Sequence, residues 1–129
     1  MSTQPAAAAR MEHVNITVSD LDRSIALLEE AFGWHVRIRA PHGVRGEFAH
    51  VGSEDSYIAL WADGGDYSGQ AKGKPLNHIG VAVNDINAAE AVVKRHGLET
   101  HSHGKYEPGP RTFYFFDWDG IEFEVVSYA

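Results

Sequence analysis

From His13 to Val18 apolar and polar residues alternate with a period of two, with Val14, Ile16 and Val18 on one side and His13, Asn15 and Thr17 on the other. That period predicts a half-buried β-strand. The spacing then changes. Leu21, Ile25, Leu28 and Phe32 recur at intervals of four, three and four, which is the apolar stripe of an amphipathic helix. Ser19 or Asp20 can cap its start and Gly33 can stop it. The same grammar returns from Leu76. His78, Ile79, Val81 and Val83 form a second strand, and Ile86, Ala89 and Val93 form a second helix, stopped by Gly97.

The two passages superimpose at an offset of 65 residues, with His13 on His78, Ile16 on Val81 and Asp20 on Asp85. GEFAHVG from Gly46 overlies RTFYFFD from Arg111 at that offset, and SYIALW from Ser56 overlies IEFEVV from Ile121. Three separated segments sharing one offset indicate a duplicated module. Each copy reads as strand, helix and then about three strands, with Asp117-Trp118-Asp119-Gly120 as a turn between the last two. The predicted fold class is α+β. Two βαβββ modules, 11–66 and 76–129, build one domain over 11–129 whose curved mixed sheets form a half-barrel cleft. Residues 1–10 read as a flexible leader without the basic start and apolar run of a signal peptide.

The duplication changes the meaning of the histidines. A histidine in a strand is usually a surface or hydrogen-bonded residue. Here, however, His13 and His78 occupy matching places on the strand faces that their helices do not cover. In the last strand Phe123 and Val125 point to the helix side, so Glu122 and Glu124 point with the histidines. A carboxylate in a sheet cavity needs a partner. The chain has no cysteine, which excludes thiolate metal sites and disulfides. His13, His78 and Glu124 are therefore the candidate metal ligands, a 2-His-1-carboxylate set with open positions that suits Fe(II) or Mn(II). Ala59 stands where the repeat would supply a fourth ligand. The formal charge of −7 disfavours a nucleic-acid partner, and no stretch approaches the length of a membrane span, so a cytoplasmic location is expected.

The segments EHVNITVSDLDRSIALLEEAFGW, NHIGVAVNDI and FYFFDWDGIEFEV resemble the vicinal oxygen chelate superfamily, which includes glyoxalase I, extradiol ring-cleaving dioxygenases, fosfomycin-resistance proteins and bleomycin-binding proteins. The likeness implies a glyoxalase-like fold, a divalent metal, a small-molecule substrate and a homodimer. The segment TFYFFDWDGIEFEV resembles the last module of the extradiol dioxygenases most closely. That resemblance implies a substrate-binding role for Tyr114, ten residues before Glu124, and a proton-carrying role for His101 or His103 in the preceding loop. It implies ring cleavage of a catechol-like substrate. Two alternatives stay open. One is a non-oxidative lyase, isomerase or thiol transferase. The other is a non-catalytic protein that sequesters a ligand. Arg37, Arg39, Arg45, Tyr57 and Trp61 are further candidates for substrate contact.

Overall fold

The computed structural model describes residues 8–70 and 72–129. The leader expected over residues 1–10 lies outside them except at residues 8–10. Module one runs β1 (His13–Thr17), α1 (Leu21–Phe32), β2 (His35–His42), β3 (Gly46–Gly52) and β4 (Tyr57–Ala62). Module two repeats it as β5 (Ile79–Ala82), α2 (Ile86–Arg95), β6 (Thr100–Lys105), β7 (Arg111–Phe116) and β8 (Glu122–Ser127). The sheet orders are β1-β4-β3-β2 and β5-β8-β7-β6. In each sheet the first pair is parallel and the others are antiparallel. The α+β architecture of two mixed four-stranded sheets and two helices is the one the repeat predicts.

Both helices start and stop as the sequence dictates. The Asp20 carboxylate accepts the Arg23 N–H at 3.0 Å, and Asp85 accepts the Ala88 N–H at 3.0 Å. Gly33 takes a left-handed conformation at φ 69°, which lets its N–H reach the Glu29 carbonyl. Leu21, Ile25 and Leu28 of α1 and Ile86, Ala89 and Val93 of α2 are buried. They pack on the strand faces that carry Ile16, Val18, Val81, Phe113, Phe115, Phe123 and Val125. The two helices also pack on each other and join the modules into one core.

Strand pairing bears out the repeat in its two parallel pairs. Asn15 pairs with Ala59 and Gly80 pairs with Glu124, so Ala59 is the structural counterpart of Glu124. The overlay of β3 on β7 needs a correction. Glu47 pairs with Ala62 while Arg111 pairs with Ser127, which moves the match in this strand by one residue. His50, opposite Ala59, thus takes the place of Tyr114, opposite Glu124. Register here is set by cross-strand pairing, which matches Glu47 rather than Gly46 with Arg111. Among the described residues no helix is long and apolar enough to cross a membrane.

The turn after β7 is tied by two buried carboxylates. Asp117 accepts the N–H groups of Asp119 and Ile121, each at 2.9 Å. Asp119 accepts the Ser19 N–H and hydroxyl, linking the turn to the start of α1. Burial pushes the Asp117 carboxyl up to about 6, against the pull of those N–H donors. Its folded value thus lies above its unfolded one, so a protonated Asp117 favours folding at low pH and that advantage is lost as pH rises through about 6. Asp117→Asn keeps the accepting oxygen without the charge. Urea unfolding of both proteins should show the stability of the variant gaining on the wild type by about 2 kcal/mol between pH 4 and pH 7. A difference that stays flat with pH would contradict the assigned shift.

Candidate metal and substrate site

The uncovered face of module two gathers polar groups around Glu124. Thr112 Oγ1 donates to Glu124 Oε2 at 2.9 Å, from a threonine that is itself buried. Glu124 Oε1 lies 3.3 Å from His78 Nε2. The His78 Nδ1 lies 2.8 Å from Asn77 Oδ1, so the imidazole is held on that side and its Nε2 is directed at the carboxylate. Tyr114 stands edge-on to His78, with ring centres 5.5 Å apart. Burial, and then the Glu124 carboxylate beside it, push the Tyr114 phenol up to about 12. Below that value the phenol keeps its proton and can donate a hydrogen bond.

His101 completes this face. Its ring stacks at 6.1 Å from Tyr114 and 5.4 Å from Phe116. Its Nδ1 bonds to Ser102 Oγ at 2.9 Å, and its Nε2 sits 3.5 Å from Glu122 Oε2. That Nε2 is buried and lacks a hydrogen-bond partner among the described residues. His103 is placed elsewhere. Its Nε2 bonds to Glu90 of α2 and its ring lies by the buried Phe113, on the helix side of the sheet. Both residues were expected in a loop and both belong to β6. A bulge between His101 and Gly104, with Ser102 at φ 55°, turns the strand and separates the two rings.

On module one His13 Nδ1 lies 2.9 Å from Glu12 Oε1. The hydrogen bond from His13 holds the Glu12 carboxyl below its usual range. Glu12 and Asn77 occupy the same place in the repeat, so each histidine has Nδ1 tethered by the residue before it. The His13 ring stacks on Tyr57 at 4.9 Å, and Tyr57 stacks on His50 at 4.5 Å. Trp61 lies 5.8 Å from His42 on the same sheet. Arg39 is engaged by Glu47 and Asp22, whereas Arg37 lies over the Tyr57 ring at 4.4 Å.

His13 and His78 both line a cleft of about 370 Å³ between the starts of β1 and β5, together with Glu12, Trp34 and Tyr57. Only His78 and Glu124 come into contact, and among the described residues no three acidic, histidine or cysteine side chains are grouped closely enough within one chain to hold a metal ion. The donor chemistry fits a divalent cation, since the tether on each imidazole takes Nδ1 and not Nε2, and His78 Nε2 and a Glu124 oxygen converge on one point. The tethering residues Glu12 and Asn77 were not singled out from sequence. Their signal was their matching position before each histidine.

The model of the Glyoxalase/Bleomycin resistance protein/Dioxygenase superfamily matches residues 10–125. Among solved structures, the glyoxylase/bleomycin resistance protein/dioxygenase domain from Frankia sp. aligns at 25% identity and a TM-score of 0.76, covering 94% of this chain and 93% of that one. The fosfomycin resistance protein FosX from Listeria monocytogenes, complexed with Mn(II) and sulfate, aligns at 20% identity and 0.72 over 93% of both chains. The trypanothione-dependent glyoxalase I of Leishmania major aligns at 22% identity and 0.75, covering 94% of this chain and 88% of that one. No curated protein matched in sequence.

Of the five tyrosines, Tyr114 should be the last to ionise. A spectrophotometric titration of chelator-treated protein is expected to show one phenol titrating near 12 that disappears in Tyr114→Phe. If no phenol that Tyr114→Phe removes titrates well above the ordinary value of about 10, burial and the Glu124 carboxylate do not raise Tyr114 as assigned.

Proposed function

As the chain belongs to the glyoxalase/bleomycin resistance protein/dioxygenase superfamily, we propose that it is a metal-dependent enzyme in which His13, His78 and Glu124 hold one divalent cation, Fe(II) or Mn(II). The substrate in this reading is a small molecule that chelates the cation through two neighbouring oxygens. The observation that carries it is the matched tethering of the two imidazoles. Glu12 and Asn77 engage Nδ1 of His13 and His78, which orients each ring and leaves Nε2 as the nitrogen turned away from the tether. Two nitrogen donors and one carboxylate, without thiols, suit Fe(II) or Mn(II).

The site is proposed to form across a homodimer, with His13 from one copy and His78 and Glu124 from the other. Two facts support this. Within one chain only His78 and Glu124 meet. The faces carrying His13, Asn15 and Thr17 and carrying His78, Gly80 and Ala82 remain exposed. A single interface of two-fold symmetry would cover both faces and build two equivalent sites.

When bound, the cation would supply Lewis acidity, lowering the pKa of a coordinated hydroxyl. The residues around it have separate tasks. Thr112 holds one oxygen of Glu124 so that the other stays aimed at the site. Tyr114 donates a hydrogen bond to an oxyanion of the substrate. His101 stacks on Tyr114 and is the proton carrier on this face, in preference to His103, which is bonded to Glu90 on the far side. Extradiol-type ring cleavage of a catechol-like substrate is the reaction assigned first, because Tyr114, His101 and the carboxylate form one continuous group. Non-oxidative lyase, isomerase or thiol-transferase chemistry is the second reading, favoured by the likeness to FosX over nearly the whole of both chains.

His13→Ala and Glu124→Ala should each lose stoichiometric metal by elemental analysis, and a variant that keeps it would remove that residue from the ligand set. If sites are shared, refolding the two inactive variants together restores about a quarter of wild-type turnover, since half the dimers carry one intact site of two. Sites closed within one chain would restore none.

Anaerobic reconstitution with Fe(II), followed by oxygen uptake on a panel of catechols, separates the two reactions. Uptake with a yellow ring-opened product is expected. Full metal binding without uptake would move the assignment to the non-oxidative reading, and ligand binding that needs no metal would point to a sequestering protein.

A further inference from the structure

The duplicated scaffold carries different chemistry at the same three positions of its two modules. In module two they are Ser102, Glu122 and Tyr114, beside the Glu124 carboxylate. In module one they are Arg37, Tyr57 and His50, beside His13. The bulge that re-aims Arg37 lies between Val36 and Ile38 of β2, and a bulge stands at the matching place in β6. The distortion is thus a property of the fold, while the guanidinium belongs to module one alone.

Arg37 is exposed, lies 4.4 Å above the Tyr57 ring, and forms no ion pair among the described residues. The neighbouring Arg39, by contrast, is held by two carboxylates, Asp22 and Glu47. The nearby Glu12 carboxylate meets His13 and, at 3.5 Å, the Tyr57 hydroxyl through its Oε1, and it makes no ion pair with Arg37. A guanidinium stacked on an aromatic ring keeps its N–H edge free, and that planar edge matches a carboxylate bidentately. Next to it the rings of Tyr57, His50 and Phe48 stand in a row with centres 4.5 Å and 5.3 Å apart, the first pair stacked and the second tilted. Stacked rings with one free planar cation describe a surface for a flat, singly anionic ligand.

We infer that Arg37 is the carboxylate clamp of the substrate site, and that the substrate is a planar aromatic carboxylate whose ring lies along Tyr57, His50 and Phe48. The inference rests on the reading of His13 as a metal ligand, because His13 stacks on Tyr57 and so sets this surface beside the reacting centre.

The test uses benzoate, which does not chelate through vicinal oxygens, and neutral benzyl alcohol. Each is titrated calorimetrically into the chelator-treated full chain, so the result does not depend on the metal. Wild type should bind benzoate more tightly than benzyl alcohol. Arg37→Gln should weaken benzoate by about tenfold and leave benzyl alcohol unchanged. Arg37→Lys should fall between, because a point charge lacks the planar fork. Wild-type metal stoichiometry in Arg37→Gln would show that the fold is kept. Equal or undetectable binding of both ligands to wild type, benzoate affinity unaffected by Arg37→Gln, or displacement of benzoate by an equal concentration of inorganic phosphate would each overturn the clamp. Loss of the metal reading would show separately, as a wild-type protein that binds benzoate through Arg37 yet takes up no Fe(II) or Mn(II).

Discussion

Everything in this molecule depends on burying one face of each sheet under its own helix. Period-two alternation sends Val14 and Ile16, or Phe123 and Val125, toward α1 and α2, and it sends every second side chain the other way. Burial of the apolar side holds the modules together through the packed helices. The opposite side is freed from the demands of the core. It can hold histidines, carboxylates and phenols because nothing apolar has to be placed there.

That freedom creates an electrostatic problem which local contacts solve. Glu124 has little exposure, yet one oxygen accepts from Thr112 and the other faces His78. Each imidazole is turned by the residue just before it, Glu12 or Asn77. Because neighbours in a strand point to opposite faces, such a contact needs the strand start, where Glu12 and Asn77 precede the regular pairing of β1 and β5. The tether is thus a consequence of where each histidine stands, His13 at the first residue of β1 and His78 just before β5. The same partly buried face raises the Tyr114 phenol and leaves His101 Nε2 without a hydrogen bond among the described residues.

Duplication followed by divergence explains the asymmetry between modules. Register matches Ala59 with Glu124 and His50 with Tyr114, so one copy lost, or never had, the carboxylate. In its place stands an aromatic row with a guanidinium. Two copies of one scaffold therefore offer complementary surfaces, one rich in oxygen donors and the other in ring faces and positive charge.

The sequence alone determined the module, its repeat and the facing of its side chains. Alternation, stripe spacing and cap residues are local properties; the constant offset made His13 and His78 stand out, and alternation in the last strand put Glu124 on their side, before any contact was known. It also located Ala59 correctly, because the parallel pairs of β1 with β4 and β5 with β8 keep the offset. It did not determine the one-residue shift of β3, since register depends on pairing with another strand. It did not place His101 and His103 on opposite sides of one strand, because a bulge breaks the alternation that a linear reading assumes. Nor could it tell Arg37 from Arg39. One guanidinium is neutralised by Asp22 and Glu47, the other is left over Tyr57, and only the tertiary structure brings those carboxylates and that ring within reach.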